Sequence, residues 1–130
     1  MKTNLEPFNV IIIGGGLAGL TAAIHLSKEK YDVLVIEKTA YPKHKVCGEY
    51  ISNEVFPYLQ FLDIEVYNLG AQKINRFELS TPKGNLTKAI LPLGGFGISR
   101  YTLDDALAKK AIQNGVKIIH DSVKKIKTDF

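Results

Sequence analysis

The chain has 130 residues, of which 45% are apolar and 23% are charged, and this composition is that of one ordinary globular domain. Its longest nearly uncharged stretch, residues 10–24, is too short for a transmembrane helix and contains three consecutive glycines. The net charge of +4 comes from lysines in residues 106–130, a pattern typical of a solvated face, so we predict no nucleic-acid partner. The single cysteine, Cys47, excludes an internal disulfide and fits a cytoplasmic protein. No metal site is predicted.

The first predicted elements form a β-α-β unit. Residues 8–13 are mostly β-branched or aromatic, which predicts a parallel strand that is buried on both faces. An amphipathic helix follows and ends near Lys28, and residues 32–36 give a second buried strand. Lys30 stands where a left-handed glycine commonly follows a helix. The unit has about the thirty residues that a parallel crossover requires.

A glycine-rich turn joins the first strand to the helix. It reads Gly14-x-Gly16-x-x-Gly19, and Glu37 follows at the end of the second strand. In a dinucleotide fingerprint, the first glycine permits a tight turn, the second lets the backbone approach a pyrophosphate, and the third lets helix and strand pack closely. The helix N-terminus attracts phosphates, and an acid at the position of Glu37 accepts hydrogen bonds from a ribose. The sequence therefore predicts an adenine-dinucleotide site, in which the acid disfavours a 2′-phosphate.

The third parallel strand comes late in the chain. We predict it at residues 116–119, after a helix over residues 103–114 with Thr102 as N-cap and Gly115 as C-terminal stop. More than sixty residues separate Glu37 from Thr102, too many for a loop without structure. A further strand is predicted to begin near residue 123.

The long excursion has its own predicted elements. Residues 52–62 indicate a helix that Pro57 delays or kinks. Residues 74–80 and 86–91 alternate as two strands, and residues 81–85 form a turn between them. These elements predict an antiparallel hairpin in a second sheet.

Three motifs carry a resemblance to a known family. They are the glycine turn with Glu37, the segment Lys-His-Lys-Val-Cys-Gly-Glu at residues 43–49, and Ser-Arg-Tyr-Thr-Leu-Asp at residues 99–104. With these motifs the chain resembles flavoprotein oxidoreductases of the p-hydroxybenzoate hydroxylase type, most closely the geranylgeranyl reductase-like branch. Members insert part of a substrate domain between the second and third strands of their FAD-binding sheet.

The resemblance implies an α/β fold with a Rossmann-like FAD/NAD(P)-binding βαβ unit and a parallel sheet. Residues 1–130 would be the N-terminal part of a FAD-binding domain whose C-terminal remainder is absent, with a core at 8–38 and 100–120 and an inserted helix and hairpin at about 50–98. Cys47, the candidate catalytic residue, would lie with its loop towards the flavin ring. The implied cofactor-binding residues are Gly14, Gly16, Leu17, Ala18, Gly19, Glu37, Lys38, Lys45, Cys47, Gly48 and Arg100.

Several alternatives stay open on the residues alone. Lys43, His44 and Lys45 would either contact an anion or form a solvated basic loop. Arg100 would either contact the cofactor or pair with Asp104, four residues on. Cys47 would be either a reactive thiol or a small buried side chain.

The implied function is that of a flavin-dependent oxidoreductase with NAD(P)H as the reductant, either a reductase or a monooxygenase. Cys47 near the flavin favours the reductase. The substrate would be a small molecule, lipophilic if the strands of the hairpin line its pocket. The alternatives are a nucleotide-binding fragment without catalysis and an NAD-dependent dehydrogenase, since Glu37 would serve NAD equally well. We also expect unpaired strand edges to favour self-association.

Overall fold

A computed structural model describes residues 8–127 and shows a mixed α/β fold with two sheets. A three-stranded parallel sheet has the order β1-β2-β6, and a three-stranded antiparallel sheet has the order β3-β5-β4. The elements in chain order are β1 (Val10–Ile13), α1 (Leu17–Lys28), β2 (Val33–Ile36), β3 (Tyr50–Ser52), a short 3-10 helix (Asn53–Val55), α2 (Phe56–Phe61), β4 (Gln72–Ser80), β5 (Leu86–Gly97), α3 (Arg100–Gln113) and β6 (Lys117–Ile119).

The parallel sheet confirms the predicted β-α-β unit and its late third strand. β2 lies in the middle and pairs with β1 and with β6 in parallel. The prediction that the first strand is buried on both faces is wrong: Ile11 and Ile13 are 56% and 52% exposed. Val10 and Ile12 pack against the core, whereas the side chains on the other face of this edge strand are about half exposed.

The helices α1 and α3 pack together and bury most of the core between them and the sheet. Leu20, Ala23 and Ile24 of α1 are fully buried, as are Leu107 and Ala111 of α3. Apolar residues recur every three or four positions on each helix, and this spacing produces one buried face. The core therefore sits directly behind the glycine turn that begins α1.

The start of α3 differs from the prediction. Ser99, not Thr102, is the N-cap, and its Oγ accepts a hydrogen bond from the Thr102 amide at 3.2 Å. Thr102 is the third residue of the helix, so its amide is one of the donors that a cap satisfies. The helix thus begins at Arg100, and Asp104 falls in its second turn. Gly115 follows the helix with φ +89°, as predicted for the stop.

The inserted segment confirms the predicted hairpin, with longer strands than expected. β4 and β5 pair antiparallel around the turn at residues 81–85, and a bulge lies between Ile74 and Arg76. The short strand β3 was not predicted, and it extends the sheet by pairing with the end of β5. The helix is shorter than predicted: it begins at Phe56, so that Pro57 lies in its first turn, where proline is tolerated. Ser52, the predicted start, caps the preceding 3-10 helix.

Two predictions concern the chain after α1 and after β6. Lys30 adopts φ +69°, the left-handed conformation expected at that position. The strand predicted over residues 123–130 is wrong for residues 123–127, which pair with no described strand. Residues 128–130 lie outside the described range.

Candidate functional site

The glycine turn has the geometry that the fingerprint predicts. Gly14 adopts φ +100°, a conformation that favours glycine, and its amide donates to the Ile36 carbonyl at 2.9 Å. A Cβ on Gly19 would overlap the Gly14 carbonyl oxygen, so this glycine allows α1 to approach β1. The turn and the two strands are therefore held together closely.

Gly16 is different, because space remains around it. A Cβ on Gly16 would lie 3.8 Å from Lys45 Nζ and 4.0 Å from Arg100 Nη2, both ordinary contact distances. Gly16 caps α1 with an extended backbone that other residues adopt, at φ −83° and ψ −169°. Two cationic groups and the N-terminus of a twelve-residue helix thus face the same open position.

Glu37 lies at the end of β2 and is only 7% exposed. Its Oε2 accepts from the Gly15 amide at 2.8 Å, and its Oε1 accepts from the Thr39 amide at 3.0 Å and from Lys43 Nζ at 2.6 Å. Burial raises the pKa of Glu37, but these bonds outweigh burial and lower the pKa to about 2. The carboxylate is therefore charged and held in one orientation.

Arg100 forms the predicted ion pair with Asp104 and also lines the cleft. Arg100 Nε donates to Asp104 Oδ1 at 2.7 Å, and Nη2 donates to Oδ2 at 2.9 Å. Asp104 is fully buried, whereas the Arg100 side chain keeps 11% of its surface exposed at the cleft. The bonds to Asp104 raise the pKa of Arg100 against the effect of burial, and Cys47 contributes in the same direction. The pair orients the guanidinium without removing it from the cleft.

One open cleft of about 610 Å³ collects most of the predicted site residues. Its walls contain Gly14, Gly16, Leu17, Ala18, Gly19, Glu37, Lys45 and Arg100. Lys38 lies in a neighbouring cleft of about 250 Å³, which shares Gly14 and Glu37 with the first. Cys47 and Gly48 are exposed and do not line either cleft, so the alternative in which Cys47 is a small buried side chain is wrong.

Sequence reasoning missed one side chain that shapes the site. The Tyr41 hydroxyl donates to the Gly15 carbonyl, and a Cβ on Gly15 would overlap that hydroxyl. Burial raises the pKa of Tyr41, and the charges of Glu37 and Asp104 raise it further. The sequence did contain a signal for this contact. Of the three consecutive glycines, the fingerprint requires only Gly14 and Gly16, so Gly15 needed another explanation. Lys43, expected to contact an anion or solvent, instead pairs with Glu37.

Comparison with known proteins shows the family to which the chain belongs. The sequence model of the NAD(P)-binding Rossmann-like domain family matches residues 12–78, from β1 into β4 of the insertion. The chain belongs to this family. The match includes the glycine turn, Glu37 and the loop that carries Lys43 and Lys45.

Longer proteins are similar over nearly the whole chain. The flavin-dependent halogenase otaD of Aspergillus carbonarius is 30% identical over 129 residues, which cover 93% of this chain and 26% of the halogenase. A menaquinone reductase of Mycobacterium tuberculosis is 24% identical over 131 residues, which cover 91% of this chain and 32% of the reductase. The structure of a flavoprotein/dehydrogenase from Cytophaga hutchinsonii superposes with a TM-score of 0.78 and 26% identity, covering 94% of this chain and 32% of that one. The chain thus spans about a quarter to a third of these proteins.

In the part of the chain that the structure describes, no helix has the length and apolar character needed to cross a membrane.

Proposed function

We propose that the chain forms the part of a FAD site that holds the adenosine and pyrophosphate, within a flavin-dependent oxidoreductase that uses NAD(P)H. The cleft over Gly16 carries this proposal, because it brings a helix N-terminus, two cationic side chains and a fixed carboxylate to one place. The names of the halogenase and the flavoprotein that the chain resembles support the choice of flavin.

The residues present fit such a cofactor. The glycine turn and the first amides of α1 would bind the pyrophosphate, with Lys45 and Arg100 as its charged partners. Glu37 would accept from the ribose, and Lys38 would lie beside it at the neighbouring cleft. Cys47 and Gly48 would lie towards the flavin ring, outside the part of the site that the described residues enclose. The bound flavin supplies the redox chemistry, and this chain binds and orients it.

The finer assignment is to the geranylgeranyl reductase-like branch of the p-hydroxybenzoate hydroxylase type. Lys45-x-Cys47-Gly48 and the exposed Cys47 thiol beside Arg100 support it, and so does the name of the menaquinone reductase among the similar proteins. On this proposal the substrate is a small lipophilic molecule and the reaction is a reduction. Monooxygenation and halogenation are the competing reactions within the same flavin-dependent class.

A second candidate function is NAD binding without a flavin, as in a dehydrogenase. The specific observation that favours it is the carboxylate of Glu37, which suits the ribose of NAD as well as that of FAD. The insertion between β2 and β6 favours the flavin proposal, since a simple nicotinamide-binding domain joins those strands by short connections. A third candidate is a nucleotide-binding module without catalysis, which would bind its nucleotide in the same cleft.

The direct test is a titration of the purified chain with FAD and with NAD, followed by desalting and a visible spectrum. We expect retained flavin bands and at least a tenfold tighter binding of FAD than of NAD. In Gly16→Val, added carbon atoms occupy the phosphate position while the extended backbone stays allowed, so FAD affinity should fall at least tenfold without a change in thermal unfolding of the free protein.

The matched control is Ala89→Val, which adds methyl groups to the exposed hairpin far from the cleft. This variant should bind FAD as the unchanged chain does. Tighter binding of NAD would favour the dehydrogenase, and the absence of binding to either dinucleotide would contradict the proposal.

A further inference from the structure

Lys43 binds the carboxylate of Glu37 but is not among the residues that line the cleft. Its Nζ is 2.6 Å from Glu37 Oε1, and only 14% of the Lys43 side chain and 8% of the Glu37 side chain are exposed. An ion pair this far from solvent is screened little by salt. Lys43 therefore holds Glu37 through Oε1, and it is not among the residues that line the cleft.

The loop after β2 holds Lys43 at this place through an aromatic side chain. Lys43 Nζ lies 5.0 Å from the centre of the Tyr41 ring, within the range of a cation–π interaction. The Tyr41 hydroxyl is in turn bonded to the Gly15 carbonyl, and its ring meets His120 edge-on at 5.9 Å. Lys43 is thus tied to the glycine turn and to the end of the parallel sheet.

The bonds to Glu37 are divided unevenly between its two oxygens. Oε1 accepts from both Lys43 and the Thr39 amide, and these two bonds fill its usual capacity. Among the described residues Oε2 accepts one bond, from the Gly15 amide, so it keeps one acceptor position. Because Lys43 occupies Oε1, the acceptor position that remains is on Oε2, and Glu37 is one of the residues that line the cleft.

We propose that Lys43 is a positioning residue for ribose recognition: by binding Glu37 Oε1, it fixes Oε2 as the acceptor for a ribose hydroxyl in the cleft. This inference rests on the proposed function, since it requires that the cleft bind an adenine nucleotide. It assigns Lys43 a role that differs from that of Lys45, which faces the phosphate position at Gly16.

The test compares ADP with 2′,3′-dideoxy-ADP by isothermal titration calorimetry on the whole chain. A hydroxyl bonded to a fixed carboxylate should give the unchanged chain about a 10- to 100-fold preference for ADP. Lys43→Met should reduce this preference to about threefold or less, because the carboxylate loses its fixed orientation, while the affinity for the dideoxy analogue changes little. Lys43→Arg, which restores a cation at Oε1, should recover most of the preference.

The matched control is Lys88→Met, which removes a Lys–Glu pair of 2.8 Å on the exposed hairpin and should leave the preference unchanged. If Lys43→Met does not fold, Lys43→Ala, which also removes the donor to Oε1, takes its place and should show the same reduced preference. An unchanged preference in either variant, or an equal loss of affinity for both nucleotides, would overturn the inference. If the unchanged chain binds neither nucleotide, the proposed function itself fails.

Discussion

The parallel sheet with its two helices and the hairpin of the insertion are stabilised in different ways. Every residue of β2 except Ile36 is buried, and α1 and α3 bury the face behind the glycine turn. By contrast, β4 and the first half of β5 are exposed on nearly all positions of both faces, with Phe77, Leu79 and Ile90 from 48% to 78% exposed. The candidate site depends on the first region, where side chains are fixed by burial, and the hairpin depends on backbone pairing.

The first prediction compares the two ends of the hairpin. Phe96, at the buried end of β5, is fully buried and meets Phe56 and Tyr67 at ring-centre distances of 6.2 and 6.4 Å. Phe96→Ala should lower the free energy of unfolding by about 3–5 kcal/mol. Phe77→Ala, at the exposed end, should cost less than about 1 kcal/mol.

Urea unfolding followed by far-ultraviolet circular dichroism measures both variants, since the chain has no tryptophan. Equal losses of stability would show that the exposed end of the hairpin is as well packed as its base.

The second prediction compares two ion pairs on α3, both between residues four apart. Arg100→Met leaves the fully buried carboxylate of Asp104 without its partner and should cost about 3–5 kcal/mol. Lys109→Met breaks the pair with Asp105, where the lysine is 70% exposed, and should cost about 0.5 kcal/mol or less. Urea midpoints separate the two, and similar midpoints would mean that burial does not distinguish the pairs.

The third prediction concerns pH. Because the folded pKa of Glu37 is about 2, below its usual value of 4.5, its contribution to stability is complete above about pH 4.5 and is lost as the pH falls towards 2. Lys43→Met should remove about 1.5–3 kcal/mol at neutral pH, and the difference from the unchanged chain should shrink across that acidic interval. The check is urea unfolding at a series of pH values, and a difference that stays constant down to pH 2 would exclude Glu37 as its source.

The sequence predicted the features that depend on local signals and missed those that depend on contacts between distant parts of the chain. The glycine turn, α1, β2 and Glu37 were predictable because glycine spacing, helical periodicity and a strand-terminal acid are local signals. The partners of Glu37 were not, because Lys43 reaches it through a loop conformation that no periodicity encodes. The exposure of Ile11 and Ile13 was missed for a related reason, since an apolar run does not reveal whether anything covers its second face.

The loop of Lys45, Cys47 and Gly48 shows the limit of motif reasoning. Lys45 lines the cleft, whereas Cys47 and Gly48 of the same motif are exposed and do not, a difference that only the course of the backbone determines.

The last prediction compares one glycine from each region. Gly19→Ala would place a Cβ against the Gly14 carbonyl, which belongs to the backbone and cannot turn aside, so helix and strand must separate at a cost of about 1–3 kcal/mol. Gly97→Ala in the hairpin sheet would crowd the end of the Ile74 side chain, at 3.1 Å, and a change of side-chain rotamer can relieve that contact; the Glu49 carbonyl lies at an ordinary 3.8 Å. Thermal unfolding should therefore show a clear loss for the first variant and a small one for the second. Because Gly14 also forms the wall of the cleft, Gly19→Ala should weaken FAD binding as well, and unchanged binding would mean that the turn tolerates a wider gap between α1 and β1.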